Sequence, residues 1–169
     1  MGIPHIKVVA GPVTKVALSR PDARNAMSDV TLRELTAAFK TIAKDKDVRA
    51  VVVTGEGKDF CAGADINWMK ASGQLPPEEG KKDARLLADM LQAVDECPVP
   101  VIVAAHGNVF GGGLGLVAAC YVAVLSDDAK MSFSEDFGFG YLVFPEKKLL
   151  VIVSSEEAIR IIINRLLEP

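Results

Sequence analysis

The stretch PVPVIVAAHGNVFGGGLGLVAACYVAVL (residues 98–125) decides how this chain is organised. An apolar strand over residues 99–105 runs into a polar break at His106, Gly107 and Asn108, then a triple glycine, then a helix. Gly111, Gly112 and Gly113 stand where the first helical turn forms. The first N–H groups of a helix have no internal partner and lie at the positive end of the helix dipole. Glycine has no Cβ, so a ligand can come close to those groups. The stretch therefore reads as a pocket for an anion, or for an oxygen that becomes one during a reaction. Two plainer readings remain open. The glycines would equally serve close strand–helix packing. The uncharged run from Cys97 to Ser126 is also nearly long enough for a membrane span, although Pro98, Pro100, His106, Asn108 and the glycines interrupt it.

Outward from there, the totals narrow the class. The chain has 169 residues, half of them hydrophobic and 24% charged, which suits one soluble globular domain with its own core. A net charge of −3 argues against a nucleic-acid surface or a polybasic membrane anchor. The three cysteines (Cys61, Cys97, Cys120) are odd in number and lack C-x-x-C spacing, which points to a reducing compartment and away from disulfides or zinc. His5 and His106 are far apart and the carboxylates dispersed, so no metal site is expected. No apolar leader precedes the first strands. A cytoplasmic protein is the expectation, and a matrix protein stripped of its transit peptide would have the same composition.

Upstream of the central stretch, residues 5–9 and 13–18 read as two strands of a hairpin around Gly11-Pro12. Ser28 is a candidate N-cap for a helix with Leu32, Leu35, Phe39 and Ile42 on one face, ended by Lys44-Asp45-Lys46-Asp47. AVVVT (residues 50–54) is a buried strand, and a turn at 55–58 leads into FCAGADI (residues 60–66). That segment is too rich in small residues for an ordinary strand and too poor in glycine for a phosphate loop. Residues 71–82 carry Gly73, Pro76, Pro77 and Gly80 and read as a loop. A helix is expected over 83–96, with Leu87, Met90, Leu91 and Val94 on one face. Downstream, residues 121–125 and 149–153 read as strands. Ser154-Ser155-Glu156-Glu157 would cap a last helix carrying Ile159, Ile162, Ile163 and Leu166. The alternation of strand, turn and helix favours an α/β architecture.

Four segments in this order resemble the crotonase family, the enoyl-CoA hydratase/isomerase superfamily. They are LSRPDARNAMS (18–28), AVVVTGEGKDFCAGADI (50–66), CPVPVIVAAHGNVFGGGLGL (97–116) and AKMSFSE (129–135). The resemblance implies an α/β fold built as a spiral of ββα repeats, with a site for an acyl-CoA thioester. It implies a core over residues 1–135 and a C-terminal segment, 136–169, in which the family's closing helices are incomplete or altered. Family members assemble as trimers or dimers of trimers, so a homo-oligomer is expected, with no nucleic-acid or membrane partner. Coenzyme A would enter as part of the thioester, with no separate cofactor and no metal.

By the same resemblance, the N–H groups of Ala64 and Gly112 would hold the thioester oxygen. Ala62, Asp65 and Ile66 would line the nucleotide part of the site, and Arg20 and Asn25 would approach the phosphates and pantetheine. Trp68, Met69, Gly111 and Gly115 would border the acyl group. Several of these residues have ordinary structural alternatives. Asp65 is placed to cap a helix starting near Ile66, Arg20 and Asn25 to stabilise a turn, and Trp68 and Met69 to pack a helix.

Hydration of an enoyl thioester needs a water activated at one carbon and a proton delivered to the next. The familiar family solution uses two glutamates. Here Gly115 occupies the first position, while the second is Glu135, in Ser132-Phe133-Ser134-Glu135. Glu135 is the candidate acid/base, since an apolar pocket around a carboxyl would raise its pKa toward the working range; the alternative is an exposed glutamate beside Asp136. The pattern FGGGLGLVAAC is close to that of a methylglutaconyl-CoA hydratase-like branch, and double-bond isomerases also work with one carboxylate, so both activities stay open. His106 is expected to fix a turn rather than act as a base. Tyr121 stands where the family usually has an aspartate, and after Glu135 the family pattern is lost. Two functions are therefore carried forward: an enoyl-CoA hydratase or isomerase, and a non-catalytic crotonase-fold subunit that binds a CoA thioester or serves a structural role. A nucleotide-dependent α/β enzyme is set aside, because the glycine run lacks both phosphate-loop and dinucleotide spacing.

Overall fold

The computed structural model describes residues 3–132 and 149–153. In chain order its elements are β1 (Ile6–Val9), β2 (Val13–Leu18), α1 (Asp29–Ile42), β3 (Ala50–Gly55), α2 (Ile66–Ser72) and α3 (Pro77–Asp95). They continue with β4 (Val101–Ala105), β5 (Asn108–Phe110), α4 (Gly112–Ala119), β6 (Val122–Ser126), β7 (Lys130–Ser132) and β8 (Leu149–Val153).

The hairpin expected around Gly11-Pro12 forms, with Ile6 opposite Leu18 in an antiparallel pair. All other pairs of the main sheet are parallel, and its strand order is β1-β2-β3-β4-β6-β8. Parallel neighbours need a long crossover. Each crossover from β2 through to β6 has two parts, a short extended piece in a second layer and then a helical part. The second layer consists of β5 paired with β7, extended by single bridges between Cys61 and Val109 and between Met27 and Ala64. The chain thus repeats main strand, short strand and helix: β2, Met27, α1; then β3, Cys61 to Ala64, α2 and α3; then β4, β5, α4. This is the spiral of ββα repeats that the resemblance implies.

The core lies between one face of the main sheet and the helices. Val16, Leu18, Val51, Val53, Val103 and Leu125 from the sheet meet Leu32, Leu35 and Phe39 of α1 and Met90 and Val94 of α3, all buried. The α1 stripe is the one its spacing predicts. Its start is set by Ser28, whose side chain accepts the Thr31 N–H while the Thr31 side chain returns to the Ser28 N–H.

Several boundaries differ from expectation, most by a single residue. Residues 71–82 are not a loop: α2 continues to Ser72, α3 begins at Pro77, and only residues 73–76 connect them. Proline fits the first turn of a helix, where its missing N–H would have no partner. Glu78 and Glu79 favour the positive helix end, and burying Met90 and Val94 offsets the cost of Gly80. The strand expected from residue 99 starts at Val101, after Pro100, which cannot donate to a ladder. The uncharged run from Cys97 to Ser126 divides into β4, β5, the eight-residue α4 and β6, and no helix among the described residues is long and apolar enough to cross a membrane. The strand expected at 149–153 is present as β8, while the last expected helix lies outside the described residues.

One corner positions everything that follows. Gly107 has φ +59, and a Cβ there would collide with the Lys58 carbonyl oxygen, so only glycine lets β4 turn into β5 at this point. His106 beside it bonds through Nε2 to the Gly57 carbonyl at 2.9 Å, and its own carbonyl accepts the Phe60 N–H at 2.9 Å. Successive turns of the spiral are joined at this corner.

Candidate active site

Residues 61–65 run between two other chain segments. On one side, Cys61 donates its N–H to the Asn108 carbonyl (3.0 Å) and accepts the Phe110 N–H (2.9 Å). On the other, Met27 donates to the Gly63 carbonyl and Asp65 donates to the Met27 carbonyl, each at 2.8 Å. In a parallel bridge the two flanking residues make the bonds, so Ala64 is held by its neighbours while its own N–H points away from Met27. Among the described residues, that N–H has no acceptor.

The glycine run comes to the same place from the other direction. Gly111, with φ +47, donates to the Ser132 carbonyl at 3.0 Å, and its own carbonyl accepts from Leu114 and Gly115. Gly112 is the first residue of α4, and its N–H likewise has no acceptor among the described residues. Gly113 seats the helix directly on Cys61. The two segments that the sequence singled out are therefore neighbours, joined by β5. Met27 Sδ and Leu87 lie closest to where a Gly112 side chain would begin, and Leu91 lies closest at Gly115.

Asp65 caps α2, its Oδ1 accepting from Asn67 N–H (3.0 Å) and Trp68 N–H (3.4 Å). Its Oδ2 pairs with the Arg20 guanidinium at 3.0 Å. Burial alone would raise the Asp65 pKa, but the Arg20 and backbone hydrogen bonds outweigh it and hold the carboxyl below its ordinary value. Burial pushes the Cys61 thiol up to about 11, so this cysteine is an inert packing residue.

The remaining candidates separate clearly. Asn25 is 1% exposed. It accepts the Arg20 N–H and donates to the carbonyls of Glu56 and Asp59, so its side chain is taken up in the turn. Ala62 is half-buried and gives its N–H to the Arg24 carbonyl. Ile66 and Met69 are 68% and 55% exposed on α2, whereas Trp68 packs against the core. Glu135 lies outside the described residues; Ser132, three positions before it, is beside Gly111. No group of three or more metal-ligating side chains is present among the described residues.

Two contributors escaped the sequence reading. Met27 pairs with Ala64, and Asp59 holds Asn108 through both its backbone N–H (3.0 Å) and its side-chain amide (2.7 Å). Neither has a local signal, because both act on residues far along the chain.

The family model for enoyl-CoA hydratase/isomerase matches residues 9–152. The mitochondrial Delta(3,5)-Delta(2,4)-dienoyl-CoA isomerase of Mus musculus is 36% identical over 158 residues, covering 87% of this chain and 48% of that protein. Among solved structures, an enoyl-CoA hydratase of Mycobacterium smegmatis has a TM-score of 0.74 and 37% identity, covering 78% of this chain and 51% of its own. An enoyl-CoA hydratase/isomerase of Marinobacter aquaeolei has a TM-score of 0.85 and 26% identity, covering 96% and 75%. The chain spans about half the length of the mammalian relatives it matches.

Proposed function

The chain belongs to the enoyl-CoA hydratase/isomerase family, and we propose that it acts on an acyl-CoA thioester as an enoyl-CoA hydratase or isomerase. The thioester oxygen lies against the N–H groups of Ala64 and Gly112, and Glu135 is the acid/base. The observation that carries this reading is that two backbone donors without acceptors among the described residues belong to segments joined through β5. Preorganised donors of this kind stabilise the charge that appears on an enolate, and each contributes about 3 kcal/mol at the transition state.

In hydration, the Glu135 carboxylate takes a proton from water as the water oxygen bonds to C3. The double-bond electrons move onto the thioester oxygen, and Glu135 then returns the proton to C2. In isomerisation, the same carboxylate removes a proton from C2 of a 3-enoyl thioester and gives it back at C4, so the double bond moves into conjugation. One carboxylate suffices for either cycle. Ala62, Asp65 and Ile66 border the nucleotide, and Trp68, Met69, Gly111 and Gly115 border the acyl chain. Coenzyme A is part of the substrate, with no separate cofactor. Residues 1–135 form the catalytic core and 136–169 a C-terminal segment of the same domain. The working form is a cytoplasmic homo-oligomer, a trimer or a dimer of trimers.

The test is turnover of crotonyl-CoA by hydration and of a 3-enoyl-CoA by isomerisation, alongside a thioester binding titration, for the unaltered chain and Glu135→Gln. Turnover that Glu135→Gln abolishes while binding persists is the expected result. A second reading, a non-catalytic subunit that binds CoA thioesters, is favoured by Gly115, which stands where the resemblance expects a second carboxylate. Binding without turnover in either assay would select it.

A further inference from the structure

The Arg20 guanidinium grips two chain segments at once. Nη1 donates to the Ala26 carbonyl at 2.7 Å, and Nη1 and Nη2 both donate to Asp65 Oδ2, at 3.1 and 3.0 Å. Ala26 directly precedes Met27, and Asp65 directly follows Ala64. Met27 and Ala64 are the bridged pair, and the Asp65 N–H is one of the two bonds of that bridge. A single cation therefore ties together the two strands whose pairing decides where the Ala64 N–H points. The pair is shielded from water, with 23% of the Arg20 side chain and 14% of the Asp65 side chain exposed, so its charge-assisted bonds are screened less than those of a surface pair. The remaining Asp65 oxygen is held by α2, which locks the carboxylate that Arg20 leans on.

We propose that Arg20 is a positioning residue for the Ala64 donor rather than a ligand of the coenzyme A phosphates. The proposal rests on the reading of residues 61–65 and 111–113 as the thioester site. A donor displaced by about 1 Å loses much of its effect on a developing oxyanion while substrate binding elsewhere is unchanged. Arg20 thus acts on kcat through the backbone. Lysine is a point charge on one stem and lacks the planar fork that spans both acceptors, so it is an incomplete replacement.

The experiment compares the unaltered chain, Arg20→Met and Arg20→Lys on two substrates, crotonyl-CoA and crotonyl-pantetheine. These share the thioester, but only the first carries the nucleotide and its phosphates. The expected result is a fall in kcat of about 10- to 100-fold for Arg20→Met on both substrates, a smaller fall for Arg20→Lys, and KM changed by less than about threefold. A rise in KM confined to crotonyl-CoA, with kcat intact, would mean that Arg20 is a phosphate ligand and overturn the proposal. Unchanged kcat and KM with a lower melting temperature would mean a purely structural pair and overturn it too. Amide hydrogen exchange supplies a readout independent of turnover. The Met27 and Asp65 amides should exchange faster in Arg20→Lys and Arg20→Met while Val52 and Val103 do not, and unchanged exchange at Met27 and Asp65 refutes the proposal. If the unaltered chain turns over neither substrate, the functional reading fails and exchange alone decides the role of Arg20.

Discussion

A Cβ added at Gly113 would stand 2.6 Å from the Cys61 Cβ and 2.9 Å from its sulfur. This close approach sets α4 directly against residues 61–65, with no room for a side chain between them. Two residues further on, a Cβ at Gly115 would meet, among the described residues, only the methyl groups of Leu91, at 3.5 and 3.6 Å, which is ordinary packing distance. Two glycines of the same run thus have opposite tolerances.

Gly113→Ala should lower stability by about 1–3 kcal/mol, because the new methyl must push Cys61 or the helix aside. Gly115→Ala should be neutral or stabilising by up to about 1 kcal/mol, since alanine favours a helix interior over glycine. Urea unfolding of both variants checks the contrast. Equal losses would mean that the Gly113–Cys61 contact is not the reason for the glycine.

At Gly112 the side chain and the N–H can be varied separately. Gly112→Ala keeps the donor and meets, among the described residues, only Met27 Sδ at 3.2 Å and a Leu87 methyl at 3.6 Å, so a shift of a few tenths of an ångström in the Met27 side chain accommodates it. Gly112→Pro removes the donor at the first helical position, where proline is otherwise well placed. Proline should cost about 100- to 1,000-fold in kcat and alanine far less. Steady-state kinetics on crotonyl-CoA decides it, and equal losses would assign the effect to bulk rather than to the N–H.

Cys61 should resist alkylation in the folded chain, whereas half-buried Cys97 reacts first. Its folded-state pKa, about 11, lies above the ordinary 9.0, so between those values the folded thiol keeps a proton that the unfolded thiol has lost. The stability that Cys61 contributes is thus complete below pH 9 and disappears as pH rises through 11. Melting curves from pH 8 to 11 should fall less steeply for Cys61→Ala than for the unaltered chain.

At the acidic end, His5 and Asp65 are two partly buried groups with depressed folded-state values. Burial, aided by the Arg20 charge, lowers the His5 pKa from 6.5, and its ring bonds to Thr31 at 2.9 Å and Ser28 at 3.2 Å. The unfolded chain therefore takes up this proton first, and stability present above pH 6.5 is lost as pH falls below it. Asp65 follows the same sign from 3.8 downwards, as its pairing with Arg20 is protonated away. Thermal melts should show a decline below pH 6.5 that His5→Gln flattens, and a second decline below pH 4 that Asp65→Asn flattens. If neither substitution alters its own window, these sites do not set the acid response.

Much of the local structure around the candidate site was legible because its signals are local. Ser28 and Asp65 lie next to the N–H groups that they cap, and a polar residue just before a helical pattern is readable by eye. The apolar stripe of α1 follows a period of 3.6 residues, so Leu32, Leu35, Phe39 and Ile42 could be named as buried. The start of α3 was misread because Pro76, Pro77 and Gly80 are turn residues in most settings, and only the buried anchors further along the helix make Pro77 a first-turn residue. Met27, Asp59 and the Arg20–Asp65 pairing left no local trace. Asp65 lies 45 positions from Arg20 and Asn108 lies 49 from Asp59, and Met27 pairs with the distant Ala64, so nothing in the neighbouring sequence encodes these partners.

By itself, then, the sequence determined most strands of the main sheet, the caps and the glycines at the start of α4, since these are written in the spacing of nearby residues, and its resemblance over four segments pointed to the family; the short strands β5 and β7 were not read from it. Tertiary structure decided that residues 61–65 and 111–113 lie side by side, and that the Ala64 N–H faces away from Met27. It also turned Arg20 inward onto Asp65 and absorbed Asn25 into a turn. The physical reason is that a backbone N–H is present at nearly every residue of any chain. Which of them stays unpaired and open to a ligand depends on the distant strands that take up all the others.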